Sequence, residues 1–393
     1  MSNKLSHAAD LRGLSQLTVS AVTGVAELAE AVHLNILRQV PAPVAQPLSR
    51  VTSLVYRGVR GVTKLVGGGI DSALGKLQPL LGEQQGWAGR EALLAAVNGV
   101  LGDHLEQSGN PLAIPMQFRR DGQPFVAAAG LGGPVSGRVL VLAHGLCMND
   151  LQWRREGHDH GAQLARERGY SNIYLHYNSG RHISSNGREL AERLEALLAD
   201  WPVAVEELVI VGHSMGGLVA RSAIHYATQA GLDWPRHVSK LVCLGSPHHG
   251  APLERGGNWF HVITDASSYT APFSRLGKIR SAGITDLRHG SVLDEDWNGK
   301  DRFAHGGALP QPLPLPAGVA CYALAASISR ENGGRNGRLA GDGLVPLASA
   351  LGRHDDPRRQ LAFAADRQAV VHRTHHMELL SSPEVYRTLL GWL

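Results

Sequence analysis

The stretch Glu207-Leu-Val-Ile-Val-Gly212-His213-Ser214-Met215-Gly216-Gly217-Leu218 constrains this chain more than any other. Its first half is a short apolar run that reads as a buried strand, and Met215–Gln229 reads as a helix. Between them stand Gly212, Ser214 and Gly216, spaced as G-x-S-x-G. The chain must reverse there within a few atoms. A side chain at position 212 or 216 would collide with neighbouring backbone, so glycine serves both. The reversal lifts the Ser214 hydroxyl above the strand ends, beside the positive end of the following helix. It also leaves the N–H of Met215 free to face a developing oxyanion. His213 sits next to the serine in a tight turn, so it is expected to shape the turn rather than to take the serine's proton.

The same alternation continues on both sides of this turn. Arg138–Gly145 reads as a buried strand entering a loop. Residues 159–168 and 186–199 read as helices, and Lys240–Gly245 as a further strand. Gly318–Leu324 and Gln368–Val371 are candidate later strands. Apolar strands alternating with helices predict an α/β fold with a mostly parallel central sheet flanked by helices. The stretch 250–316 breaks the pattern and is too long for an ordinary connection. It is expected to be an inserted lid or cap over the C-terminal edge of the sheet. Its Trp259, Phe260, Tyr269, Phe273 and Trp297 offer apolar surface for an acyl or aromatic group, and each also suits ordinary core packing.

Residues 1–115 have a different character and read as an N-terminal accessory helical extension ahead of a catalytic domain at 130–393. Leu11, Leu14, Leu17, Val25, Leu28, Val32 and Ile36 fall mostly three or four apart, which predicts helix over 10–40. A second periodic run over 50–66 interleaves Arg50, Arg57, Arg60 and Lys64 with apolar residues. It suits either a helix packed with its arginines in water or peripheral contact with a lipid surface. Gly58 and Gly61 weaken an autonomous interfacial helix. A third helix is expected at 90–101.

Composition narrows the class. The chain has 393 residues, 43% apolar and only 18% charged, which suits a large buried core and not a solvated disordered chain. Net charge is +4. No Lys/Arg block, zinc-finger spacing or RNP-like aromatic pattern accompanies it, so no nucleic-acid partner is expected. Cys147, Cys243 and Cys321 stand far apart, which predicts free thiols. No secretory h-region and no bilayer-length apolar run are found, and a cytoplasmic location is expected.

A serine hydroxyl is a poor nucleophile at neutral pH and needs a positioned base. In proteins with this turn the chain order is serine, acid, histidine. Asp342 fits the acid, between glycines in Gly341-Asp-Gly-Leu-Val-Pro346 and after a candidate strand. Asp294, Asp296, Asp355 and Asp356 compete, but lie in the insertion or in a polar stretch. The base is sought among His372, His375 and His376. His144-Gly145-Leu146 follows the first clear strand, so the N–H of Leu146 is a candidate second oxyanion donor beside that of Met215. His248 and His249 are neighbours, but no His-Glu-x-x-His spacing exists. No metal and no cofactor are expected.

His144-Gly145-Leu146, Gly212-His-Ser-Met-Gly-Gly-Leu218, Ser246-Pro-His-His-Gly250, Gly341-Asp-Gly-Leu-Val-Pro346 and His375-His-Met-Glu-Leu-Leu380 resemble, as an ordered set, the lipase/esterase branch of the α/β-hydrolases. They look most similar to bacterial lipase-like proteins of the PGAP1-like (GPI inositol-deacylase-like) group. The resemblance spans about residues 130–393. It implies an α/β-hydrolase fold, Asp342 as acid and His376 as base, with Ser246–Gly250 a structural loop beside the site. The implied activity is hydrolysis of a carboxylic ester through an acyl-enzyme, on small to medium acyl or lipid-like esters. Thioester hydrolysis or acyl transfer would use the same triad. A non-catalytic interaction protein that merely kept the fold is the reading of a different class.

Overall fold

The computed structural model describes residues 90–127, 135–251, 281–300, 309–330 and 341–393. The helices expected over 10–40 and 50–66, and the aromatic residues at 259, 260, 269 and 273, lie outside these residues. In chain order the elements are helix α1 (Arg90–Gln107), strands β1 (Gln117–Arg120), β2 (Gln123–Pro124) and β3 (Arg138–Ala143), helix α2 (His160–Arg168), strand β4 (Ser171–His176) and helix α3 (Ile183–Ala199). Then come strand β5 (Glu207–His213), helix α4 (Met215–Ala230), strand β6 (Val238–Leu244), helix α5 (Ala282–His289), strand β7 (Ala320–Ser327), the one-turn α6 (Leu347–Ala350), strand β8 (Gln368–His372) and helix α7 (Pro383–Trp392).

The strands form one sheet in the order β2-β1-β4-β3-β5-β6-β7-β8. From β4 through β8 every pairing is parallel. Only β1 and β2, at one edge, run antiparallel to their neighbours. A parallel interior needs both faces covered, and the strands show it. Val139, Leu140, Val141 and Leu142 have no exposed surface, nor have Leu208 through Val211. Each such side chain stabilises the fold by about 2 kcal/mol relative to exposure.

Strand parity separates two layers. Leu140, Leu142, Val209, Val211, Val242 and Leu244 join Leu164 of α2 and Val385 and Leu389 of α7 in one core. The opposite parity faces α4, where a Cβ at Gly217 would lie 3.1 Å from Cys243 Sγ. The chain runs from β3 outward to β4, then returns to β5 on the other side of β3. The carboxyl ends of β3 and β5 therefore flank a topological switch point, where open α/β sheets place their ligands.

Residues 89–104 and 114–393 form one compact unit. Part of α1 and the β1–β2 hairpin thus lie in the same unit as the sheet, ahead of residue 130 where the sequence places the domain boundary. Leu105–Ala113 group with the other unit and form a helix end and turn, in which the Asn110 N–H donates to the Leu105 carbonyl at 2.8 Å. Of the expected insertion, residues 250–251, 281–300 and 309–316 are described. Ser222 of α4 donates to the Val292 carbonyl at 2.7 Å, which ties this stretch to the helix after the serine turn. No helix among the described residues is long and apolar enough to cross a membrane.

Candidate active site

Ser214 occupies the turn between β5 and α4 at φ +53° and ψ −121°. A non-glycine residue held there stores about 1–3 kcal/mol of backbone strain. Two hydrogen bonds hold it: the Ser214 N–H donates to the Leu244 carbonyl at 2.8 Å, and its own carbonyl accepts from the Gly217 N–H at 3.2 Å. The glycines are needed for the reason the sequence suggests. A Cβ at Gly212 would lie 2.3 Å from the Gly217 nitrogen, and one at Gly216 would lie 2.2 Å from the Ala143 carbonyl oxygen. Both obstacles are backbone.

The loop after β3 meets the serine directly. A Cβ at Gly145 would stand 3.0 Å from Ser214 Cβ. Leu146 and Met215 are buried, and neither N–H has a backbone acceptor among the described residues. His144 stacks on Tyr177 at 4.3 Å, and the Tyr177 hydroxyl donates to the His144 carbonyl at 2.8 Å. Burial pushes the His144 imidazole down to about 3, so it is neutral at pH 7. Cys147 follows at φ +60°, with its N–H donated to Ser179 Oγ at 3.0 Å. Behind it, Gly99 of α1 approaches so closely that a Cβ there would sit 2.2 Å from Cys147 Sγ and 2.8 Å from Cys147 Cα. No motif or periodicity signals that α1 buttresses this loop.

Asp342 and His376 come together on the loops after β7 and β8, both almost fully buried. His376 Nδ1 lies 2.6 Å from Asp342 Oδ2. Asp342 Oδ1 accepts from the Leu344 and Val345 N–H groups at 3.0 and 2.8 Å. The His376 backbone N–H donates to the Asp342 carbonyl at 3.0 Å, so the two residues are tied twice. With Nδ1–H given to the carboxylate, a neutral His376 keeps Nε2 as an acceptor. Gly245, at φ +58°, closes the arrangement: a Cβ there would lie 3.2 Å from both Asp342 Oδ2 and His376 Cε1. The Leu244–Gly245 turn therefore holds Ser214 on one side and packs against the Asp342–His376 pair on the other.

Among the competing residues, His375, Asp294, Asp296 and Asp356 have other partners. His375 is exposed, and its N–H donates to Glu378 Oε2 at 2.6 Å at the start of the 376–380 turn. Asp294 holds Arg188 Nε at 3.0 Å, Asp296 caps the Val292 and Leu293 N–H groups, and Asp356 pairs with Arg358 at 2.8 Å. His213 faces the His376 carbonyl through Nε2 at 3.2 Å, and burial holds its basicity far below the usual imidazole range. Trp297 stacks its ring on His182 at 3.7 Å and donates its Nε1–H to Ser184 Oγ at 2.8 Å. His182 in turn contacts the buried Asp286 at 3.0 Å, a second His–Asp pair that no sequence motif signals. Among the described residues no three His, Cys, Asp or Glu side chains gather as a metal-ligand set.

A mostly parallel sheet, a strained serine between a strand and a helix, and an Asp–His pair on later strand ends define a hydrolase-type domain of the α/β-hydrolase superfamily. Residues 134–308, the span that contains the serine turn, match the model of the PGAP1-like alpha/beta domain. Among solved structures, a mature lipase from Bacillus licheniformis is similar at 17% identity and a TM-score of 0.42, over 66% of this chain and 96% of that one. The naproxen esterase of Bacillus subtilis follows at 15% identity and a TM-score of 0.38, over 66% and 85%. A thioesterase of prodiginine biosynthesis from Streptomyces coelicolor stands at 16% identity and 0.36, over 68% and 98%. No curated protein matches the chain.

Proposed function

We propose that the protein is a serine carboxylic-ester hydrolase, an esterase or lipase, working through an acyl-enzyme. Ser214 is the nucleophile, His376 the general base and Asp342 the acid that orients it. The observation that supports this reading most is the Asp342–His376 pair meeting the Leu244–Gly245 turn that also holds the Ser214 backbone. Ser214 Oγ attacks the acyl carbon while His376 Nε2 takes its proton. The carbonyl oxygen becomes an oxyanion between the N–H groups of Leu146 and Met215, an interaction worth roughly 3 kcal/mol per donor. Collapse expels the alcohol, which leaves with the proton from Nε2. A water then gives its proton to Nε2, attacks the acyl-enzyme, and the acid departs from a regenerated serine.

The substrates are small to medium acyl or lipid-like esters, with residues 250–316 acting as the lid or cap and residues 1–115 as an accessory region. The same triad would serve a thioesterase or an acyltransferase. Parallel assays on oxygen esters, thioesters and an added alcohol acceptor separate these, and turnover confined to thioesters overturns the ester assignment. Labelling by an organophosphonate tests the nucleophile itself. One equivalent should attach at Ser214 in the wild-type protein and none in Ser214→Ala. A folded wild-type protein that takes no label, or takes it elsewhere, refutes the enzymatic reading.

A further inference from the structure

Beside the helix that follows the serine turn lies a small cleft, of about 20 Å³, that the proposed ester chemistry does not use. Arg221 of α4, His248 and His249 after β6, Arg359 ahead of β8, and Gln311 and Leu313 line it. Its side-chain charge is of one sign. Arg221 is almost completely buried, yet no carboxylate among the described residues pairs with it or with Arg359. Asp356, the acid nearest Arg359 in the chain, is taken by Arg358. An unpaired buried guanidinium costs several kcal/mol, so an arrangement of this kind calls for a counter-charge.

The hydrogen bonds that do form leave donors over. Arg221 Nη1 donates to His248 Nδ1 at 3.2 Å, and its Nη2 donates to the Leu313 carbonyl. Accepting at Nδ1 fixes the His248 proton on Nε2. Arg359 Nη1 donates to the Pro310 carbonyl at 2.5 Å. Arg221 Nε, His248 Nε2 and Arg359 Nε are then buried with no partner. All three are N–H donors, none is an acceptor, and all belong to residues lining one cleft. Buried polar groups in native proteins are satisfied by protein, water or ligand. A cluster that is short only of acceptors and only of negative charge matches an oxyanion. Burial is the main cause that pushes the His248 and His249 imidazoles towards the neutral form, and Arg221 adds to it at both, with Arg359 at His249.

We propose that this cleft is a binding site for a small oxyanion, a phosphate or carboxylate group, held by the guanidinium groups of Arg221 and Arg359 and the Nε2–H of His248. Arg221 stands seven residues along α4 from Ser214, about 10 Å at 1.5 Å per residue. The site is therefore separate from the one where an acyl carbonyl would react. The anion is either free in solution or the anionic group of a larger ester.

The test is calorimetric titration of the full chain with inorganic phosphate at neutral pH and low salt. A saturable single-site isotherm is expected, weakened at least tenfold by Arg359→Gln. Arg359 is only half-buried, so Arg359→Gln should keep the wild-type far-UV circular dichroism spectrum and urea midpoint, which verifies its fold. Arg221→Gln should weaken binding further. If that variant does not fold, Arg359→Gln alone decides. Kinetics then separate the two sources. If phosphate raises the KM of a phosphate-bearing ester but not of a neutral one, the site belongs to the substrate. If phosphate leaves both KM values unchanged, the bound ion is a free one. No saturable heat up to about 10 mM phosphate, or an isotherm untouched by Arg359→Gln in a folded protein, overturns the proposal. Because binding does not require a working serine, it can fail or hold independently of the hydrolase reading.

Discussion

Replacing Asp342 by asparagine perturbs the His376 proton without disturbing the loop that carries it. Asp342 Oδ1 accepts two backbone N–H groups, from Leu344 and Val345, so an asparagine must place its carbonyl oxygen there. Its NH2 group then takes the Oδ2 position and donates to His376 Nδ1, from 2.6 Å away in the native protein. The imidazole is forced into the tautomer with its proton on Nε2, where it cannot accept from a serine. A wrong tautomer of this kind costs about 10⁴ in kcat, or about 5 kcal/mol at 1.36 kcal/mol per decade. Asp342→Ala makes the contrast. It also removes the acceptor of two buried N–H groups, at about 1–3 kcal/mol each, so it should lose stability as well as activity. The assay is steady-state hydrolysis of p-nitrophenyl acetate beside urea unfolding. The expected result is an inactive Asp342→Asn with a near-native midpoint and an inactive Asp342→Ala with a lowered one. An Asp342→Asn variant that keeps a tenth or more of wild-type kcat would show that the pair does not set the tautomer, and the reasoning from Oδ1 would fail.

Three further outcomes follow from the geometry. Ser214→Ala and Ser214→Gly should both abolish turnover, but the glycine variant should be the more stable by about 1 kcal/mol, because only glycine sits at the φ of +53° without strain; equal urea midpoints would argue against stored strain. Gly99→Ala should lower kcat at least tenfold with little change in KM, because its Cβ must displace Cys147 and with it the Leu146 N–H; unaltered kcat in a folded variant would release α1 from that role. Burial holds His144 near about 3 and His160 near about 4, against 6.5 unfolded, so the unfolded chain takes up protons first as the pH falls. The stability they confer is complete above pH 6.5 and is lost at up to about 1.4 kcal/mol per pH unit per histidine as the pH drops towards their folded values; urea midpoints that do not fall between about pH 7 and pH 5 would contradict neutral burial.

The serine turn was legible because its demands are local. A strand, a helix and two glycines at fixed offsets state the backbone path, and Gly212 and Gly216 meet backbone where expected. The strands at 138, 207, 240, 320 and 368 were legible through their apolar runs. Strand β4 was not, because Ser171-Asn-Ile-Tyr-Leu-His176 mixes polar and apolar residues although all six are buried. The β1–β2 hairpin carried a readable signal that went unused: Asp121-Gly122, both at positive φ, is the two-residue turn that joins paired strands. The choice between His375 and His376 could not be made from residues alone. It depends on which of two adjacent side chains the loop turns inward, and the structure buries His376 against Asp342 while leaving His375 in water. The Gly99–Cys147 approach and the Arg221–His248 cleft join residues far apart in the chain, and no periodicity announces such meetings.

The double tie between Asp342 and His376 has a consequence for how this family of chains can diverge. One bond joins backbone to backbone and the other side chain to side chain, so the pair is a closed clip between residues 34 apart in the sequence. Strands β7 and β8 deliver the two loops to the same place, and the clip does the rest. Insertions and deletions between the two residues are then tolerated so long as the strands still pair and Leu344, Val345 and Arg359 keep their places. Drift should accumulate there faster than around Ser214, where a single residue added between Gly212 and Gly216 would misplace the hydroxyl. Ancestry in such chains is read best from the serine turn, and functional diversification should be sought in the segments the clip leaves unconstrained.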